Sequence, residues 1–84
     1  MYYVYILQSI NNPSIVYKGY TKDLKQRIKK HNKGDCIFTN KYRPWKVVCY
    51  FAFFNKKFAL DFEKYLKSGS GKAFLNRHFI NRPS

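Results

Sequence analysis

The sequence predicts an α+β domain, a small three-stranded antiparallel sheet flanked by helices in the order β-β-α-β-α-α. Three observations predict it. Two short β-branched and aromatic runs open the chain around a polar turn. Two later stretches repeat apolar residues at spacings of three and four. Between those stretches lies the most apolar run of the chain. Strands and helices in this order suggest helices packed on a small sheet. The 84 residues, without repeat, linker or low-complexity tract, argue for one domain over 1–84. A 20% aromatic fraction supplies a core without staples, because large rings bury much apolar area per residue.

Residues 2–9, YYVYILQS, read as the first strand. Asn11, Asn12, Pro13 and Ser14 form a turn cluster, and residues 15–20, IVYKGY, resume as a second strand to complete a hairpin. Thr21 is placed to cap a helix over 22–33, KDLKQRIKKHNK. Leu24 and Ile28, four apart, give that helix its buried stripe. Arg27 and His31, also four apart, share a neighbouring face. Gly34 sits where the helix should stop. Residues 35–44 read as a polar loop ending at Pro44. Residues 45–54, WKVVCYFAFF, are the best candidate for the central strand. Asn55 is a suitable cap for a helix over 56–67 with the stripe Phe58, Ala59, Phe62, Tyr65, Leu66. Ser68, Gly69, Ser70 and Gly71 interrupt it, and a short third helix is expected over 72–80 through Phe74, Leu75 and Phe79. The tail contains Pro83.

Charge narrows the function. Lys and Arg number 17 against 4 Asp and Glu, a net charge of +13. Such a chain attracts polyanions, with nucleic acid the leading partner and an acidic membrane surface the second. No run is long enough for a membrane span, and the expectation is no membrane partner. Met1-Tyr2-Tyr3-Val4 is strand-like and shows no basic leader, so the expectation is a cytoplasmic protein. Cys36 and Cys49 are too few for a disulfide framework, and with His31 and His78 they lack the paired spacing of a structural zinc site. Gly69-Ser70-Gly71-Lys72 mimics a phosphate loop, but Leu66 and Ala73 stand where that motif needs Gly and Ser or Thr. No nucleotide cofactor is expected, although Lys72 at a helix start could touch a phosphate backbone.

Tyr3-Val4-Tyr5 and Tyr17-Lys18-Gly19 on the hairpin, Arg27 and His31 on the first helix and Glu63 on the second follow one another in a recognisable order. Together with YKGYTKDLKQRIKKHN, TNKYRPWKVV and FEKYLKSGSGKAF, they resemble the small stand-alone members of the GIY-YIG nuclease family, over roughly residues 2–79. Two positions depart from the motif: Tyr3 replaces its first Gly and Lys18 its middle Ile. On an alternating strand Lys18 points away from the face of Tyr17 and Gly19. Asn76 is a candidate for an Asn that larger members carry near their C-terminal end.

The resemblance implies an endonuclease that hydrolyses phosphodiester bonds with one divalent ion, Mg²⁺ or Mn²⁺. It assigns Glu63 as the metal ligand and Tyr5, Tyr17, Arg27, His31 and Glu63 as catalytic residues. The four acids, Asp23, Asp35, Asp61 and Glu63, are too few for a clustered two-metal site, whereas one Mg²⁺ needs only one or two carboxylates plus waters and phosphate. Arg27 would hold the scissile phosphate with its planar fork of donors. Either Tyr17 or His31 could take the proton of the attacking water; a phenol would need nearby positive charge to do so near neutral pH. Read without the resemblance, Glu63 is an ordinary surface acid set to pair with Lys67 at i+4. The nucleic-acid-binding candidates are Lys18, Lys22, Lys25, Lys30, Thr39, Lys41, Arg43 and Lys72, of which Thr39, Lys41 and Arg43 share the loop 35–44 with Asn40 and Tyr42. The substrate expectation is DNA, cut structure-selectively or with weak sequence preference. The alternative is a non-catalytic nucleic-acid-binding module of the same fold, since phosphate attraction supports both equally. Oligomeric state is left open by the sequence.

Overall fold

Strand β1 (Tyr2–Ser9) lies between two antiparallel partners, β2 (Val16–Thr21) and β3 (Trp45–Phe53), in the sheet order β2-β1-β3. The computed structural model describes residues 1–80; the tail with Pro83 lies outside the described residues. Helices α1 (Leu24–Lys33), α2 (Ile37–Asn40), α3 (Lys56–Leu66) and α4 (Gly69–His78) complete the element order. The expected α+β architecture and its strand–helix order hold, with one added helical turn, α2, inside the stretch read as loop.

The central strand is β1, which corrects the assignment of that place to 45–54. Val4 to Ser9 are all buried, whereas Val47 and Tyr50 of β3 are 39% and 54% exposed. Apolar content put β3 in the middle, but pairing on both sides decides it. Gln8 and Ser9 are polar yet buried because Gln8 donates to the Pro13 carbonyl (2.7 Å) and Ser9 Oγ to the Tyr42 carbonyl (2.7 Å). The β1–β3 register shifts between Ile6 and Leu7, a bulge in an otherwise continuous ladder.

Alternation along β1 divides the core into two clusters. Val4 and Ile6 meet Ala59, Leu66, Leu75 and Ile80 under α3 and α4. Tyr5 and Leu7 meet Trp45 on the opposite face, with Tyr17, Leu24, Ile28 and Tyr42 packed around them under α1 and α2. The α3 stripe is narrower than expected: Ala59, Phe62 and Leu66 turn inward, while Phe58 and Tyr65 stay exposed.

The helix ends follow from local chemistry. The cap of α1 is Asp23, not Thr21: the Asp23 carboxylate accepts from Gln26 N (3.0 Å), and Thr21 Oγ1 instead accepts from Asp23 N one turn earlier (3.1 Å). Gly34 ends α1 at φ 83°, the left-handed region that only glycine adopts freely. Asn55 caps α3 through Phe58 N, as expected. Ser68 caps α4 through Gly71 N, so α4 begins at Gly69, and the glycines read as a breaker form its first turn.

Candidate nucleic-acid cleavage site

The site is built where β2 has no further strand beside it. Tyr5 on β1 stands opposite Gly19 on β2, and Leu7 opposite Tyr17, so Tyr5, Tyr17 and Gly19 share the face under α1. The Tyr5 and Tyr17 rings lie 6.3 Å apart. His31, on the last turns of α1, sits 5.7 Å from the Tyr5 ring and 5.1 Å from the Tyr17 ring. Its Nε2 meets the Tyr5 hydroxyl at 2.8 Å and its Nδ1 meets Thr39 Oγ1 at 2.7 Å.

Electrostatics assign the hydrogens along this chain. Burial, with Tyr17 alongside, pushes the Tyr5 phenol up to about 12, against a smaller opposing effect of Arg27. Tyr5 therefore keeps its proton near neutral pH. Burial, and then the Arg27 charge, holds His31 below its ordinary value, so the ring is neutral. The Tyr5 O–H then donates to Nε2, Nδ1–H donates to Thr39 Oγ1, and the Thr39 hydroxyl donates to the Cys36 carbonyl (3.4 Å). His31 is 1% exposed with both nitrogens engaged. Tyr17 is only half-buried. Of the two, Tyr17 is therefore the more exposed.

Arg27 lies one helical turn before His31 and is half-buried. It lines a cavity of about 350 Å³ with Tyr20, Lys22, Gln26, Lys30 and Lys56. Lys56, from the start of α3, was not among the sequence candidates, because nothing in a lysine beside a cap residue signals which helix it faces. A second cavity, of about 320 Å³, is lined by Val16, Tyr17, Lys18, Phe38 and Lys67. Both cavities gather residues from the two faces of the sheet around β2. Lys18 pairs with Ile6 and so lies on the face opposite Tyr17, as the alternation implied.

Glu63 comes from α3, on the other side of the sheet from His31. It is half-buried, and its carboxylate accepts from Lys67 Nζ at 3.0 Å, the i+4 pair its spacing allowed. Lys67 in turn borders the Tyr17 cavity, which connects Glu63 to the same edge. Among the described residues no three His, Cys, Asp or Glu side chains gather as a metal cluster. The other acids are engaged or exposed: Asp23 caps α1, Asp61 pairs with Lys57 at 3.2 Å, and Asp35 is exposed. A hard divalent ion at Glu63 would have one protein carboxylate, now bonded to Lys67, and would take its remaining oxygens from water and phosphate.

The binding candidates divide. Lys22 and Lys30 face the Arg27 cavity, and Lys25, with Lys22, borders a neighbouring one with Tyr3 and Tyr50. Lys41 is exposed over the Tyr42 ring, and Lys72 is exposed on α4. Thr39 is corrected: it is fully buried and holds His31, so no nucleic acid reaches it. Arg43 donates to the Lys33 carbonyl (2.8 Å), closing the C-terminus of α1 where a cation is favoured. Asn76 is exposed on α4.

A β-hairpin carrying two tyrosines, an Arg–His helix over one face and a glutamate helix under the other form the arrangement that the resemblance to nuclease domains implied. The match to known proteins is specific. Residues 1–77 match the GIY-YIG catalytic domain, and the chain belongs to the GIY-YIG family. It is 44% identical over 69 residues to the UPF0213 protein CPE1444 of Clostridium perfringens, covering 80% of this chain and 71% of that one. The solution structure of the UPF0213 protein BH0048 from Bacillus halodurans superposes with a TM-score of 0.55 at 36% identity, over 92% of this chain and 84% of that one. The structure-specific endonuclease subunit SLX1 of Debaryomyces hansenii is 36% identical over 73 residues, which span 79% of this chain but only 21% of that protein.

Proposed function

We propose that the chain is a metal-dependent endonuclease that hydrolyses phosphodiester bonds of DNA, structure-selectively or with weak sequence preference. The carrying observation is the chain of hydrogen bonds from Tyr5 through His31 to Thr39, which backs Tyr17 and leaves it at the open edge of β2. In this reading Arg27, with Lys30 and Lys56 in the same cavity, holds the scissile phosphate and offsets the charge that builds on it. The Tyr17 oxygen accepts a hydrogen bond from the attacking water and orients it toward the phosphate. Tyr5 and His31 fix the Tyr17 ring and exclude water behind it. Glu63, released from Lys67, would hold the divalent ion, which would supply Lewis-acid polarisation of the phosphate. Similarity to the structure-specific endonuclease subunit SLX1 of Debaryomyces hansenii supports structure selectivity.

One observation favours the non-catalytic binding module: the Glu63 carboxylate is bonded to Lys67. The deciding experiment incubates purified protein with labelled single-stranded, duplex and branched DNA in Mg²⁺, Mn²⁺ or EDTA, beside Glu63→Ala. Metal-dependent cutting that vanishes in the variant, with binding retained, supports the nuclease. Binding without cutting under any metal supports the module.

A further inference from the structure

The short helix α2 exposes what a folded chain normally hides. Ile37 is 95% exposed and Phe38 77%, side by side. Thr39, the next residue, is fully buried and anchors the turn from beneath through His31 Nδ1 and through its carbonyl, which accepts from Trp45 Nε1 (3.0 Å). The turn is therefore anchored from beneath, with Phe38 facing outward from it.

Phe38 stands 5.9 Å from the Tyr17 ring at an interplanar angle of 43°. With Lys18 and Lys67 the two rings wall a cavity of about 320 Å³, at the small end of ligand cavities. An open aromatic pair on a strongly basic chain matches one chemistry in particular: a flat nucleobase stacks on the ring while its phosphates lie in the surrounding positive field. Bases inside a duplex are already stacked, so only an unpaired base can take this place. Charge complementarity argues for the same occupant, since a second copy of a chain of net charge +13 would meet Lys18 and Lys67 with more positive charge.

We propose that Phe38 and Tyr17 form a stacking subsite for one unpaired nucleobase next to the cleaved phosphate. This deepens the nuclease reading and rests on it for the position of the scissile bond. It gives structure selectivity a physical source: the end of a flap, a gap or a single-stranded branch supplies the free base, and a continuous duplex does not.

The test is binding in EDTA, which needs no cutting. Oligonucleotides carry 2-aminopurine either unpaired at a flap junction or paired within a duplex of equal length, and the proteins are wild type, Phe38→Ala and Phe38→Trp. Phe38 is exposed, and a thermal melt confirms that the variants fold. The expected result is quenching of the unpaired 2-aminopurine by wild type and Phe38→Trp. Phe38→Ala loses the quenching and binds the flap about tenfold more weakly, with duplex binding unchanged. Equal flap affinity for wild type and Phe38→Ala, or equal loss on flap and duplex, overturns the subsite. So does a concentration-dependent dimer in sedimentation that Phe38→Ala abolishes while flap binding stays intact, since the occupant is then a second copy. Cutting is scored separately: a Phe38-dependent flap preference without cutting sinks the nuclease and keeps the subsite, and cutting without that preference does the reverse.

Discussion

The Tyr5 ring occupies the space that any side chain at residue 19 would need. An added Cβ on Gly19 would overlap the Cζ and hydroxyl oxygen of Tyr5. Gly19 is required here for its missing side chain, and its absence lets the phenol reach His31. Gly19→Ala must push Tyr5 within a fully buried site, an overpacking that costs about 1–3 kcal/mol. In a domain of this size that lowers the melting temperature by roughly 4–8 °C per kcal/mol. The variant is also expected to lose cutting, because the Tyr5–His31 bond is displaced with the ring. A wild-type melting temperature in Gly19→Ala would refute the account.

The neutral state of His31 has a consequence for acid stability. Its folded pKa lies below the ordinary 6.5, mainly through burial. Below pH 6.5 the unfolded chain takes up a proton that the folded chain refuses, so stability falls as pH drops from 6.5 toward the folded value. The slope approaches about 1.4 kcal/mol per pH unit where one proton separates the states. His31→Gln removes this group and should flatten the loss. Denaturation curves at pH 7.5, 6.5 and 5.5 for both proteins decide it; parallel losses would show that His31 is not the source.

Lys56 tests whether the Arg27 cavity holds phosphate. Each phosphate contact adds close to one unit to the slope of log affinity against log salt. Lys56→Ala should reduce the magnitude of that slope by about 1 and weaken all sequences alike. Lys57, the next residue, is paired with Asp61 and 80% exposed, and its alanine variant serves as the control with little change. Identical slopes for the two variants would remove Lys56 from the site.

Gly69 and Gly71 share the first turn of α4 but face different surroundings. A Cβ at Gly71 would strike the Tyr65 carbonyl and Leu66 Cα, backbone atoms that cannot swing aside, while Gly69 has open space around it. Gly71→Ala should destabilise by roughly 1–3 kcal/mol, and Gly69→Ala should stabilise by about 0.4–1 kcal/mol through the unfolded chain. Urea titration of the two proteins reads the difference; a harmless Gly71→Ala would mean that α3 and α4 do not pack as closely as described.

These particulars show what a sequence can carry. The hairpin, the stop at Gly34 and the cap at Asn55 were legible because each depends on neighbours a few residues away. The central place of β1 was not, because Gln8 and Ser9 look unsuited to burial until Pro13 and Tyr42 supply their partners. Helix α2 was read as loop, and Thr39 as a nucleic-acid contact, for the same reason: both depend on His31 and Trp45 reaching across the fold. Tyr42, grouped with the binding candidates of loop 35–44, packs against the core instead, and the exposed ring of that stretch is Phe38. Glu63 followed from resemblance alone, since its spacing to Lys67 describes an ordinary surface pair equally well.

Strand β1 alternates between two clusters, with Tyr5 and Leu7 turned toward the chemistry and Val4 and Ile6 toward α3 and α4. Volume-conserving aliphatic exchanges at Val4 or Ile6 therefore fall on the α3 and α4 side alone, so the stability of the fold can be tuned without touching the face where Tyr5, Tyr17 and His31 meet.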